Sequence, residues 1–338
     1  MPDISVLLPC FNAAATLEEA LTSLKTQTYP DFEVICVDDG STDETAAMLE
    51  KWAKCDPRFI LIKGDHQGVV GAANLGLSNC RGPVVVRMDA DDRSHPDRIR
   101  LQREYLMENP DVAVVGSLVK GFPADQVGEG FQLYYQWLNS LLTHEDITRE
   151  IFVESPIANP CAAFRKSVVQ DLGGYQDHGW PEDYDLWLRL YLAGAKFAKI
   201  PEVLLEWREH AERLTHTDSR YSVENFLRAK AHYLARGPAL GRDAVFVWGA
   251  GMTGRRISKH LVKEGLPLAA FVEVDPKKIG NTRRGKPIIG ADELLDYWKK
   301  YQDPILLTAV RARKAGPLIR ESLGELGLAE GVDWWAAA

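Results

Sequence analysis

Cysteine is scarce and scattered in this 338-residue chain: Cys10, Cys36, Cys55, Cys80 and Cys161 are odd in number and show no close pairing. That excludes a disulfide framework and gives no zinc-ligand pattern. With Cys36 inside an apolar run, free thiols in a reducing compartment are expected. Basic charge is also short. The formal net charge is −8, and no segment supplies the basic face that nucleic-acid phosphates require. Long apolar runs are missing too. The opening MPDISVLLPCFN has neither a basic leader nor a stretch long enough for a signal peptide or a membrane span. A cytoplasmic location without a transmembrane segment is expected, compatible with peripheral contact at the inner membrane. There is no internal repeat, low-complexity tract or heptad run. Any anionic ligand must therefore be held locally, by a metal or by backbone amides.

What is present is α/β patterning. The length exceeds one compact domain, so two are expected. Apolar runs alternate with helical patterns: ISVLLP, TLEEALTSLKTQ, FEVICVDD, STDETAAMLEKWA, FILIKG and VVVRMDADD. This order predicts a largely parallel sheet with helices on both faces. Thr16 with Glu19 and Ser41 with Glu44 match capping boxes. The loops before those helices then lie at the carboxyl ends of strands, where open α/β sheets bind ligands. From about Asp111 to Ile157 the pattern is irregular, apart from FQLYYQWLNSLL, a helix suited to packing. A dense helix, EDYDLWLRLYLAG, is opened by Pro181 and closed by Gly194. RGPALGR, residues 236–242, reads as a linker between domains at 1–235 and 243–338.

Three acidic features stand out. Asp89-Ala90-Asp91-Asp92 follows the strand VVVRM; carboxylates crowded at a strand end repel one another, a cost that a cation offsets. Hard oxygen ligands of this kind suit Mg²⁺ or Mn²⁺, and the bland alternative is a solvated turn capping the next helix. Asp38-Asp39 ends the strand FEVICV and either meets a nucleobase or ribose, or caps a helix. Glu182-Asp183 opens the EDYDLWLRL helix, where the dipole favours the anion that a general base must be; a structural cap explains it equally. Trp180 and Tyr184 beside it either stack on a sugar or belong to the core. His210 is a metal ligand, a phosphate contact or an ordinary surface histidine.

In order and spacing these features resemble the large inverting family-2 glycosyltransferases. The resemblance lies in ISVLLPCFNAAATLEEALTSLKTQTYPDFEVICVDDGSTDET, GVVGAANLGLSNCRGPVVVRMDADDRSHPDRI, NPCAAFRKSV and WPEDYDLWLRL, and covers about residues 3–215. It implies a GT-A architecture, a mixed and mostly parallel sheet with a Rossmann-like donor half. By motif it places Pro9, Phe11, Asn12, Asp38 and Asp39 at the nucleotide, with Gly68 and Asn74 along the nucleoside. It makes Asp91 the metal ligand, Asp89 a contact to ribose or metal-bound water, and His210 a group near the diphosphate. Asp183 becomes the catalytic base, with Glu182 orienting it. The implied reaction is metal-assisted single displacement from a nucleotide sugar, UDP-linked by preference, to a glycan, glycolipid or glycoprotein hydroxyl. Relatives often carry an arginine where this chain reads GVVGAANLG. Its absence leaves Arg87, or nothing, as a positive charge near the diphosphate.

The segment AVFVWGAGMTGRRISKHLVKEGLPLAAFVEVDP sets Gly249, Gly251 and Gly254 between a strand and a helix, with Glu273 or Asp275 ending the next strand. That is a dinucleotide-fold fingerprint, and the segment looks like small nucleotide-binding domains appended to some sugar-modifying enzymes. With about a hundred residues and no hydride-transfer candidates, an architectural or homo-oligomerising use is favoured over nucleotide binding. Rival readings are an NAD-dependent oxidoreductase, a sugar-nucleotide-making nucleotidyltransferase and a silent nucleotide-sugar sensor or scaffold.

Overall fold

The computed structural model describes residues 2–312 and 315–338. Two compact units emerge: the first holds the chain up to Ile147, Pro156–His178 and Glu182–Thr217, and the second holds Thr148–Ser155, Gly179–Pro181 and Asp218–Ala338.

In the first unit β1 (Ile4–Cys10), α1 (Leu17–Lys25), β2 (Phe32–Asp38), α2 (Thr45–Cys55), β3 (Phe59–Lys63), α3 (Gly68–Asn79) and β4 (Val84–Arg87) alternate as expected. They are followed by β5 (Arg93–Ser94), α4 (Arg98–Glu108), β6 (Val112–Phe122), α5 (Glu129–Ser140), α6 (His144–Glu150), β7 (Ala163–Arg165), α7 (Lys166–Asp171), α8 (Glu182–Leu192), β8 (Lys196–Arg208) and α9 (Leu214–Thr217). The sheet order is β3-β2-β1-β4-β7-β6-β8-β5. Pairing is parallel except where β7 meets β4 and β6, and where β5 meets β8. Every residue of β2 is buried, which explains its continuous apolar run: helices cover both faces of a parallel sheet. In α1 the buried residues Leu17, Ala20, Leu21 and Leu24 form one stripe at helical spacing.

Several local expectations need correction. The irregular stretch contains β6, an eleven-residue strand. Its pattern is broken by Gly116 and Gly121, where a Cβ would come within 3.2 Å of Lys199 and 2.5 Å of Tyr135, so close packing put glycines inside a strand. Neither capping box forms. The Thr16 hydroxyl donates to Ala13 O and Ala90 O, α2 starts only at Thr45, and Ser41 Oγ accepts from Asn12 N. By contrast α8 runs from the residue after Pro181, and Gly194 ends it at φ 75°.

The second unit holds α10 (Val223–Arg236), β9 (Ala244–Trp248), α11 (Met252–Lys263), β10 (Leu268–Glu273), β11 (Thr282–Arg283), β12 (Lys286–Gly290), α12 (Leu294–Trp298), β13 (Pro304–Thr308), α13 (Ala315–Glu325) and β14 (Trp334–Ala336). Its sheet order is β11-β12-β10-β9-β13-β14, parallel apart from β11 with β12. The expected boundary at 236–242 shifts, because α10 belongs here: Glu224 takes Lys259 Nζ at 2.5 Å and His260 Nε2 at 3.0 Å on α11. Buried Lys230 donates to Val153 O at 2.6 Å, tying in an earlier segment of the chain. Among the described residues, no helix is long and apolar enough to cross a membrane.

Candidate active site

Strands β2, β1 and β4 lie side by side and run parallel, so their carboxyl ends share one rim. Asp39 N donates to Cys10 O at 2.9 Å and Met88 N to Leu7 O at 3.0 Å. Asp39 and the Asp89–Asp92 turn thus reach that rim on either side of β1.

Asp89, Asp91 and Asp92 present carboxylate oxygens that all lie within 4.8 Å of one another. His210 Nε2 sits 2.9 Å from Asp91 Oδ2, so the three expected metal-site residues, Asp89, Asp91 and His210, come together. Burial raises the Asp89 pKa, Arg87 pulls it down, and the charge of Asp91 raises it again. Asp92, to which no role was given, is fully buried and its pKa is driven well up by burial and by Asp91 and Asp89. Its Oδ1 accepts from Arg208 N at 2.8 Å, whereas Oδ2 has no partner. An orphaned buried oxygen and mutually repelling carboxylates fit a hard divalent cation.

On the β2 side, both Asp39 oxygens accept amides at the start of α3, Gln67 N and Gly68 N, each at 2.8 Å. Gly68 has φ 74°, which only glycine takes without strain. Phe11 is 45% exposed, and its ring centroid is 4.3 Å from that of His66. His66 Nδ1 lies 3.1 Å from Asp39 O. The rings are tilted 32° to each other and form an aromatic shelf beside Asp39, suited to stacking. His66 was not anticipated; its signal was a histidine two positions before the glycine that opens α3. Asn12, at φ 48°, accepts from Thr42 N at 2.8 Å, and Asp38 Oδ1 accepts from Ser41 N at 3.2 Å, so these two side chains lock the rim loops. Pro9 pairs with Val37 within the sheet. The amide of Asn74, expected along the nucleoside, is instead taken up by Tyr175, through Nδ2 to its O at 2.8 Å and Oδ1 from its N at 2.9 Å.

Glu182 is buried and Asp183 partly exposed at the mouth of α8. The dipole was expected to favour the Asp183 anion; burial, then the neighbouring Glu182 charge, dominate instead and raise its pKa well above the carboxylate range. Asp89 adds to this repulsion, so the acid pair stands within electrostatic reach of the cation cluster. Tyr184 and Trp180 are core: Tyr184 is fully buried, and the Trp180 ring packs 5.2 Å from that of His232. Arg87 does not line a phosphate path, since it is buried and ion-paired to Asp89 at 2.7 Å.

In the second unit, Gly249, Gly251 and Glu273 line a cavity of about 430 Å³, together with Thr253, Lys278 and Val310. Glu273 Oε1 accepts from Ala250 N at 3.0 Å and Lys278 Nζ at 2.9 Å. Gly254 is a packing glycine, because a Cβ there would lie 1.7 Å from Gly249 O.

Residues 5–173 match the family described as Glycosyl transferase family 2. The chain belongs to this family. It is 35% identical over 208 residues to the amylovoran biosynthesis glycosyltransferase AmsE of Erwinia amylovora, covering 60% of this chain and 75% of that protein. It is 28% identical over 240 residues to the UDP-Gal:alpha-D-GlcNAc-diphosphoundecaprenol beta-1,3-galactosyltransferase of Escherichia coli, covering 69% and 83%. Among solved structures it resembles S. aureus TarS 1-349 in complex with UDP-GlcNAc, with a TM-score of 0.58 and 19% identity over 77% of this chain and 71% of that one. At that identity the likeness speaks for fold alone, and the fold is the GT-A type. This family-2 glycosyltransferase therefore carries its acidic rim on the expected sheet.

Proposed function

We propose that the protein is an inverting glycosyltransferase that moves a sugar from a nucleotide diphosphate donor, UDP-linked by preference, to a hydroxyl of a glycan, glycolipid or glycoprotein. The observation that carries this is the gathering of Asp89, Asp91, Asp92 and His210 on one rim, within electrostatic reach of Asp183. Asp91, Asp89 and His210 would hold Mn²⁺ or Mg²⁺; such an ion, when bound, supplies Lewis-acid stabilisation of the departing diphosphate. Asp39 and the Phe11–His66 shelf receive the nucleoside. Asp183 takes the acceptor hydroxyl's proton as that oxygen attacks the anomeric carbon and the bond to the diphosphate oxygen breaks on the opposite face, with inversion. Glu182 keeps Asp183 basic by repulsion, in line with a base tuned upward by its surroundings. The UDP preference draws on the relatives' names, as does a lipid-linked glycan as acceptor, which would bring the protein to the cytoplasmic face of a membrane. Release of nucleoside diphosphate from a panel of nucleotide sugars, with Mn²⁺ or with chelator, tests the proposal. Metal-dependent release from at least one donor supports it; a protein that binds donors and releases nothing, even with acceptor extracts, is the silent sensor instead.

For the second unit we propose a Rossmann-like domain whose cavity takes a nucleotide. One glycine favours this over a purely architectural use. At Gly251, φ is −72° and a Cβ would meet nothing within 4 Å, so neither backbone nor packing requires glycine there. Its bareness suits a phosphate lying against the start of α11. Gly251→Val should leave folding intact and abolish chelator-resistant nucleotide binding; parent protein without such binding favours the architectural use.

A further inference from the structure

Three arginines, Arg87 and Arg98 buried and Arg165 half-buried, brace the first unit, and they are not alike. Arg98 spends every nitrogen internally: Nε on Gln102 Oε1, Nη1 on Met88 Sδ and Nη2 on Arg87 O. Arg165 donates only to the main-chain oxygens of Val112, Leu106 and Asn109. Both are struts. Arg87, at the end of β4, instead sends Nη2 to Asp89 Oδ1 at 2.7 Å and Nη1 to Met88 O, and its Nε is buried without a partner. A strut would not leave a buried donor empty, because an unmet buried donor loses its hydration without compensation.

We propose that Arg87 is a positioning residue of the transferase site: its buried guanidinium, ion-paired to Asp89, fixes that carboxylate for the cation. The assignment rests on the transferase reading above. A guanidinium suits this role because it is a rigid fork of donors carrying a delocalised charge, whereas an ammonium is a compact point charge. Held there, Asp89 offers the cluster an oxygen within 4.8 Å of those of Asp91 and Asp92. Removing an outer-shell partner of this kind typically lowers metal affinity or activity 10–100-fold.

The test compares Arg87→Lys and Arg87→Met with the parent, using Mn²⁺-dependent UDP affinity by calorimetry, kcat and KM on an active donor, and the melting temperature. Both variants should weaken Mn²⁺-dependent UDP binding at least tenfold and lower kcat at least tenfold. Arg87→Lys should recover melting temperature without recovering either. If Arg87→Met does not fold, Arg87→Lys carries the test alone. A folded variant that melts lower but binds Mn²⁺·UDP and turns over like the parent makes Arg87 a mere strut and overturns the assignment. A parent with no Mn²⁺-dependent UDP binding and no turnover overturns the transferase reading, and this assignment with it.

Discussion

His210 Nε2 and Asp91 Oδ2 meet at 2.9 Å across 119 residues of sequence. The contact joins the segment after β8 to the acidic turn after β4, and both partners are about a third exposed. An imidazole beside a carboxylate at this spacing is ready to share a divalent ion. His210→Ala should therefore weaken Mn²⁺ binding about 10–100-fold, the usual cost of disturbing a metal's surroundings. Mn²⁺ titration in the presence of UDP checks this.

Asp183→Asn removes the proposed base and leaves the cation cluster whole. Turnover should fall about 100-fold or more, the scale of general-base catalysis, while donor affinity stays within about twofold of the parent, an uncertainty well inside 1 kcal/mol. Steady-state kinetics and donor titration on the same preparation separate the two. Near-normal turnover removes Asp183 from the role.

The same variant has a pH signature in metal-free protein. The Asp183 pKa is raised in the folded state, so below the unfolded value both states are protonated and the residue is neutral in effect. As pH rises above that value the unfolded chain ionises freely and the folded chain cannot, so a penalty grows until the folded pKa is passed. With chelator, Asp183→Asn should be more stable than the parent by about 1 kcal/mol at neutral pH, a common gain where function has cost stability. The gain should shrink toward pH 4. Thermal melts across pH measure it; a constant difference would show that Asp183 ionisation is not its source.

Asn74→Ala should act on stability before binding. Its amide meets both main-chain polar groups of Tyr175, and leaving them unmet costs about 1–3 kcal/mol each if water cannot replace the amide. Denaturant unfolding reads this loss. Weaker donor binding with unchanged stability would return Asn74 to the nucleoside.

Much of the site was legible because its chemistry sits where chain pattern is strongest, at strand ends: Asp39 after β2, the Asp89–Asp92 turn after β4, Asp183 at a helix start. The alternation of runs from Ile4 to Arg87 likewise gave the parallel half of the sheet. What stayed hidden depends on distant partners. No local pattern says that Asn74 meets Tyr175, that Ser41 serves Asn12 instead of a helix end, or that Arg87 pairs with Asp89. β6 was missed because its glycines answer to Lys199 and Tyr135, and the boundary near 236 because α10 packs on a helix that follows it in sequence.

The central claim is that the acidic rim holds a divalent ion against a sugar nucleotide, and calorimetric titration of UDP into the parent and Asp91→Ala, each with Mn²⁺ and with chelator, tests it most directly. The parent should show a Mn²⁺-dependent site at least tenfold tighter than anything seen with chelator, a difference of about 1.4 kcal/mol or more, and Asp91→Ala should lack that site. Equal UDP affinity in all four titrations would contradict the account.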